Sequence, residues 1–213
     1  VIVYPLVQRY ALTGDEGALD LAKGYVNYLL GSSRYFSYNM EFYGHVHSSV
    51  WVASGMVMLG RLIGDDLYIK KGKEIYDYVK KDSSSFGWVP EFMRWKPMAE
   101  ENCETCCIKD AIECAYELVQ CGYEEYWQDI NLYVRNMLVE NQVRHTKYVV
   151  VDNTLEDDKE KGITYKNMNT RMIGGFSGGT KPTTMSLTKF RSIAGCCAGF
   201  GPIGLWKAWN LSV

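Results

Sequence analysis

Side chains that could hold a metal ion are concentrated in two short stretches of this sequence. The first is Asn102-Cys103-Glu104-Thr105-Cys106-Cys107, and the second is the pair Cys196-Cys197. Thiolates and carboxylates are zinc ligands, and a thiolate is also a nucleophile. We therefore predict one zinc site in which a thiolate also does chemistry. Its predicted Zn²⁺ ligands are Glu104, Cys106, Cys196 and Cys197.

A second interpretation of these thiols stays open, because the spacing differs from the common zinc motif. That motif repeats Cys-x₂-Cys, whereas here Glu-x-Cys is followed, after a long gap, by Cys-Cys. Cysteine is also among the most buried residue types, so the thiols could simply be packed in a core. Cys114 and Cys121 are interpreted as packing residues because they lie in an apolar stretch, and Cys103 and Cys107 are left unassigned.

Glu91 is a candidate general acid because it lies between Pro90 and Phe92 in an aromatic segment. An apolar setting raises the pKa of a carboxyl group and keeps it protonated near neutral pH. The alternative is an exposed loop carboxylate with an ordinary pKa. His47 and His145 are interpreted as hydrogen-bonded structural residues.

A helical repeat positions these residues along the chain. One pattern recurs around Gly14, Gly64 and Gly122, which are 50 and then 58 residues apart: the end of one predicted helix, a glycine, and an acidic residue at the start of the next helix. Glycine suits the position after a helix, and an acid suits the first turn of the next one. Helical hairpins at this period form solenoids or closed toroids. We therefore predict an all-α fold, a toroid of helical hairpins.

The two helices of each predicted hairpin differ in polarity, so one should be inner and the other outer. Residues 50–63 and 108–121 are mostly apolar or small, which favours inner helices. Residues 67–80 and 126–141 are amphipathic, which favours outer helices. Inner helices of a toroid all run the same way and present their N-termini at one rim.

The candidate ligands fall at equivalent positions before these inner helices. His45 and Cys103 each lie 19 residues before the glycine that ends their hairpin's first helix, and Cys196-Cys197 precede a helix predicted over 201–210. Helix N-termini favour anions and lower thiol pKa values, which favours one shared site at the rim. The equivalent position of the first repeat falls upstream of Val1. The expectation is a barrel incomplete on the N-terminal side, with residues 1–213 forming its C-terminal part as one domain.

Two long segments interrupt the helices. Residues 83–98 are aromatic, and their prolines keep them non-helical, so they are expected to lie over the rim. Residues 141–192 contain a short strand predicted at 149–151. The glycine-rich run at 174–179 is not followed by the Gly-Lys-Ser/Thr of a phosphate loop, so it is interpreted as a loop packed over the rim.

Composition narrows the class of protein. The 213 residues are 47% hydrophobic and 23% charged, which is typical of a globular chain. A net charge of −2 without a basic block argues against a nucleic-acid partner, and we expect no membrane partner because no apolar run approaches the length of a membrane span. Seven cysteines cannot all pair within one chain, and reduced thiols indicate a cytoplasmic location.

Glu104-Thr105-Cys106 followed by Cys196-Cys197 resembles the zinc-binding motif of glycoside hydrolase family 127, the β-L-arabinofuranosidase type. Gly44-His45 is similar to that family's segment with an active-site histidine. The resemblance implies an (α/α)₆ barrel, of which this chain holds one part, and a carbohydrate substrate. It also implies that Zn²⁺ keeps Cys196 deprotonated for attack on the anomeric carbon, forming a thioglycosyl intermediate.

The same resemblance implies roles for the remaining candidates. Glu91 would be the acid and then the base, with Glu100 and Glu101 as rival residues for that role. The implied sugar contacts are His45, Trp88, Trp95 and Tyr43. Two other functions stay open: a carbohydrate-binding toroid with a structural zinc and no hydrolysis, and a zinc-independent lyase or uronyl hydrolase.

Overall fold

The computed structural model describes residues 1–94, 97, 101–146, 156–181, 184–185 and 195–211. The strand predicted at 149–151, Trp95 and Glu100 lie outside these residues. The helices are α1 (Val3–Thr13), α2 (Glu16–Leu30), α3 (Val46–Ile63), α4 (Asp66–Lys81), α5 (Thr105–Gln120), α6 (Tyr126–Tyr133), α7 (Met168–Met172) and α8 (Gly195–Leu211). The strands are β1 (Gly44–His45), β2 (Phe92–Met93), β3 (Thr180–Lys181) and β4 (Thr184–Met185).

The long helices form an inner and an outer layer. In the inner layer α1 packs on α3, α3 on α5 and α5 on α8. In the outer layer α2, α4 and α6 each pack on the inner helix of their own hairpin. The predicted all-α partial barrel of helical hairpins is confirmed, with α3 and α5 as inner helices.

In the first two hairpins the glycines end the inner helices and the acidic residues start the outer helices, as predicted. Gly14 and Gly64 have φ of 70° and 73°, a left-handed conformation that glycine adopts without strain. Asp15 accepts a hydrogen bond from the backbone of α2, and Asp65 does the same for α4. The third repeat differs, because Glu125 precedes α6 without capping it.

Several helix boundaries differ from the prediction. The inner helices begin earlier, so that Cys106, Cys196 and Cys197 lie in first turns, whereas His45 and Glu104 lie just before α3 and α5. The difference is largest for α8, which begins at Gly195 and continues through Pro202, six residues before the predicted start. The outer helix predicted over 126–141 is α-helical only to Tyr133 and continues as a π-helical segment, Val134–Leu138.

The hydrophobic core lies between the two layers, and α3 contributes much of it. By length and composition α3 could cross a membrane, which the sequence did not lead us to expect. In the structure 61% of this span is buried within the fold, as in the core helix of a folded protein. α3 packs against α1, α4 and α5.

Candidate metal centre and active site

The N-termini of three inner helices meet at one rim of the layer. His45, just before α3, contacts Glu104, just before α5, and Cys106 in the first turn of α5 contacts Cys197 in the first turn of α8. The segment 174–181 lies against the same end of α5. There the Thr105 hydroxyl donates to a backbone carbonyl at 2.6 Å.

Three thiols converge at this rim. The sulfur atoms of Cys106, Cys196 and Cys197 all lie within 4.8 Å of one another, and those of Cys106 and Cys197 are 3.3 Å apart. Cys106 and Cys197 are buried, whereas Cys196 is exposed. The cluster is thus closed on the side of the core and accessible to solvent at Cys196.

The three thiols differ in acidity. The hydrogen bond donated by the Cys106 thiol lowers the pKa of Cys197 to about 7 and raises the pKa of Cys106 itself. Burial raises the pKa of the Cys196 thiol. Of the three thiols, Cys197 therefore loses its proton most readily. Cys196 needs additional positive charge before it can act as a nucleophile.

A second group, of one imidazole and two carboxylates, lies beside the thiols. Ligand atoms of His45, Glu91 and Glu104 lie within 4.8 Å of one another. The Nε2 atom of His45 is 3.0 Å from Oε2 of Glu104, and its Nδ1 atom is 3.3 Å from the Ser48 hydroxyl. The Glu104 hydrogen bond raises the pKa of His45, and the charge of Glu104 also acts to raise the pKa of Cys196 and Cys197.

The predicted zinc ligands are thus placed in two adjoining groups. Cys106, Cys196 and Cys197 form one cluster, and Glu104 directs its carboxylate to His45. Two thiolates bound to tetrahedral zinc at about 2.3 Å stand roughly 3.8 Å apart, so Cys106 and Cys197 would separate by roughly half an ångström on binding. Three thiols with a neighbouring carboxylate fit the ligand preferences of zinc.

Glu91 is buried and held by its backbone. Its N–H donates to the Asn102 carbonyl at 2.6 Å, and its carbonyl accepts from the Val46 N–H at 2.9 Å. The residues after it form β2, which pairs antiparallel with β1 so that Phe92 faces His45. Glu101 is also buried and accepts a bond from the Asn102 N–H, so it remains a rival acid.

The aromatic residues proposed as sugar contacts have different surroundings. Trp88 is 0% exposed, and its indole N–H donates to the Thr180 carbonyl at 3.3 Å, so its ring is a core residue with no accessible face. Tyr43 is 60% exposed. Phe92, which was not proposed as a sugar contact, lies with its ring centroid 5.1 Å from that of His45.

The sequence did not reveal a chain of buried charges behind the rim. On α5, the Lys109 ammonium is 3.0 Å from Asp110 and 2.8 Å from Glu113. Asp110 also pairs with His47 of α3, and Glu113 pairs with Lys207 of α8. The only sequence signal is the presence of four charged residues in a helix that is predicted to be inner, Lys109, Asp110, Glu113 and Glu117.

Comparisons with known proteins place the fold. No protein-family model and no curated protein matches the chain. Among solved structures it is similar to a GH127 β-arabinofuranosidase, with a TM-score of 0.63 and 22% identity over 95% of this chain. It is also similar to a sugar epimerase from a ruminal bacterium, with a TM-score of 0.60 and 12% identity over 98% of this chain. The chain spans 31% of the first protein's length and 51% of the second's, and it shares their helical toroid fold.

Proposed function

We propose that this chain carries the active site of a retaining glycoside hydrolase that acts on an arabinofuranoside-like sugar. One observation carries the proposal: the cluster of three thiols adjoins the group formed by His45, Glu91 and Glu104 at the N-termini of α3, α5 and α8. The likeness of the fold to a GH127 β-arabinofuranosidase supports the choice of substrate. Cys196 is the proposed nucleophile because it is the exposed member of the cluster.

The proposed metal is Zn²⁺, held by Cys106, Cys196, Cys197 and the carboxylate of Glu104. When bound, it supplies the positive charge that keeps the thiols deprotonated. Burial raises the pKa of the Cys196 thiol, so this charge is what the nucleophile needs. Coordination by Glu104 would take its carboxylate away from His45 and would leave the imidazole Nε2 atom for a sugar hydroxyl.

The reaction proceeds by two displacements at the anomeric carbon. The Cys196 sulfur forms a bond to that carbon while the bond to the leaving oxygen breaks, and Glu91 donates its proton to that oxygen. Water then attacks the same carbon, Glu91 takes a proton from the water, and the sulfur leaves as a thiolate. Two inversions give net retention. The burial of Glu91, 3% exposed, suits a carboxyl group that must be protonated at the start.

The decisive test replaces Cys196 in the full-length protein. We expect Cys196→Ser to abolish hydrolysis of an aryl arabinofuranoside, whereas Cys121→Ser, a half-buried thiol remote from the cluster, keeps it. Elemental analysis should find one zinc per chain in the wild-type protein. Full activity in Cys196→Ser would show that this thiol is not the nucleophile.

A second test separates Glu91 from its rivals. When the aryl group of the arabinofuranoside is a very acidic phenol, the phenolate leaves without being protonated. Loss of the general acid should therefore spare the first step for that substrate and slow it for substrates with less acidic phenols. We expect Glu91→Gln to show this pattern. In Glu101→Gln and Glu100→Gln, the rate of hydrolysis should change by the same factor for substrates with acidic and with less acidic phenols. The same pattern in Glu101→Gln would transfer the acid role to that residue.

The alternative function is a carbohydrate-binding toroid with a structural zinc. The observation that favours it is that the buried thiols, Cys106 and Cys197, are the pair in direct contact, and that the pKa of Cys197 is the lowered one. In that case the wild-type protein would bind L-arabinose in calorimetry and hydrolyse no aryl glycoside. Removing the zinc would then change only the stability of the protein.

A further inference from the structure

His47 lies in the first turn of α3, next to the proposed active site, and is held by a fully buried acid. Its Nδ1 atom is hydrogen-bonded to Oδ2 of Asp110, a residue with 0% exposure. The other oxygen of Asp110 is 3.0 Å from the Lys109 ammonium. Asp110 therefore has a partner on each oxygen, and its carboxylate is fixed in orientation.

This bond determines how the imidazole is used. An ionised carboxylate only accepts hydrogen bonds, so Nδ1 of His47 must be the donor. In the neutral ring Nε2 then carries the lone pair and is an acceptor. No described residue makes a hydrogen bond to Nε2. In contrast, both ring nitrogens of His45 are engaged, one by Ser48 and one by Glu104.

Aromatic rings surround the His47 imidazole and limit its access to water. The ring stacks on Trp51 at a centroid distance of 5.6 Å and meets the edge of Phe200 at 5.2 Å. The His45 ring lies 5.6 Å away. The His47 side chain is 12% exposed, so a small part of it remains accessible. A hydrogen bond formed in such a place competes little with water.

We propose that His47 is a substrate-binding residue whose Nε2 atom accepts a hydrogen bond from a hydroxyl group of the bound sugar. Asp110 is its positioning residue, and Trp51 and Phe200 are the apolar walls of this subsite. The inference rests on the proposed function for the sugar substrate and adds a specificity contact to the same site. A sugar that lacks the contacted hydroxyl would leave Nε2 without a donor and would bind more weakly.

Nitrogen NMR of the imidazole rings reads this contact directly, and the spectrum of His47→Asn assigns the His47 resonances. The full-length protein would be labelled with ¹⁵N-histidine and titrated with L-arabinose, a probe that requires no catalysis. We expect the Nε2 resonance of His47 to move on saturation while its Nδ1 resonance stays in place. An unmoved His47 Nε2 resonance at saturating L-arabinose overturns the proposal.

Two substitutions separate the sugar contact from the structural bond to Asp110. His47→Asn keeps an amide N–H near the position of Nδ1 and removes Nε2. We expect it to raise the Kd for L-arabinose roughly three- to tenfold. His47→Gln carries its amide near the position of Nε2, so it should retain most of the affinity and lose stability. His145→Asn is the matched control and should change neither the affinity for L-arabinose nor the stability.

The outcomes distinguish this inference from the proposed hydrolase. An unchanged Kd in His47→Asn overturns the role of His47, whatever Cys196→Ser does to hydrolysis. A raised Kd together with full hydrolysis in Cys196→Ser supports the sugar contact and removes only the cysteine mechanism. Equal losses of affinity in His47→Asn and His47→Gln would show a structural role and overturn the proposal.

Discussion

The imidazole of His45 and the carboxylate of Glu104 stand 3.0 Å apart and join the N-termini of α3 and α5. Glu104 is the residue before α5 and makes no side-chain bond to its own helix, so its carboxylate is available to a neighbour. It has two possible partners, His45 and a cation held by the thiols. The two should compete, and binding of zinc should release His45.

The His45–Glu104 pair should stabilise the metal-free protein in a pH-dependent way. The Glu104 hydrogen bond raises the pKa of His45 above its ordinary value of 6.5, so the folded state holds the proton more tightly than the unfolded chain. The stabilisation is therefore full below pH 6.5 and is lost as the pH rises through the raised pKa. In chelator-treated protein, His45→Gln should lower the unfolding midpoint at about pH 5.5 and have little effect at about pH 8.5. A difference that does not vary with pH would contradict this assignment.

The thiol cluster should bind zinc through Cys106. Cys106→Ser should retain far less zinc than the wild-type protein under competition with a chromophoric chelator, because one of the three clustered thiols is lost. Cys114→Ser is the matched control, since Cys114 is buried in the same helix and lies outside the cluster. Cobalt substitution gives a second measurement, a thiolate-to-metal absorption band that weakens in Cys106→Ser alone. Equal zinc retention in the two variants would exclude the cluster as the site.

Lys109 should be the most sensitive residue of the buried charge network. It is 2% exposed, and Lys109→Met would leave Asp110 and Glu113 without their shared cation. Removing one partner of a buried ion pair costs about 3–5 kcal/mol, which urea unfolding would measure. Lys70→Met is the control, because its ion pair with Glu74 is exposed and 3.9 Å long, and should cost less than about 1 kcal/mol. Similar losses in the two variants would show that the network contributes no special stability.

Gly201 should be intolerant of a side chain. An added Cβ would lie 2.0 Å from the ring of Phe176, which is 1% exposed, so Gly201→Ala must displace the segment that carries this ring. Overpacking of this kind costs about 1–3 kcal/mol. Gly199→Ala, two residues earlier in α8 with nothing within 4 Å of an added Cβ, should be neutral or slightly stabilising. Thermal unfolding compares the two, and an unchanged midpoint in Gly201→Ala would refute the contact.

The hairpin architecture could be predicted because its signals are local. A glycine such as Gly64 ends a helix through its own backbone conformation, and Asp65 starts the next through a bond to its near neighbours. The apolar content of α3 and the amphipathic pattern of α4 then assign the inner and outer layers. None of these inferences needs knowledge of a distant contact.

The buried charges of α5 could not be predicted, because their partners lie far away along the chain. His47 and Asp110 are 63 residues apart, and their pairing depends on how α3 rotates against α5. From the sequence, His47 was interpreted as a structural histidine, which describes its Nδ1 bond and overlooks its Nε2 atom. The helix predicted over 201–210 begins earlier, at Gly195, and α8 continues through Pro202.

A two-residue ladder ties the proposed acid to the imidazole beside it. Gly44 pairs with Met93 and His45 with Phe92, and the adjacent Val46 N–H holds the carbonyl of Glu91. Backbone atoms alone make these links, so replacement of the Phe92 side chain should leave the separation of Glu91 and His45 intact. Under the proposed function, the side chain at position 92 can therefore change to admit a different sugar while Glu91 keeps its place, and substrate preference can change independently of the chemistry.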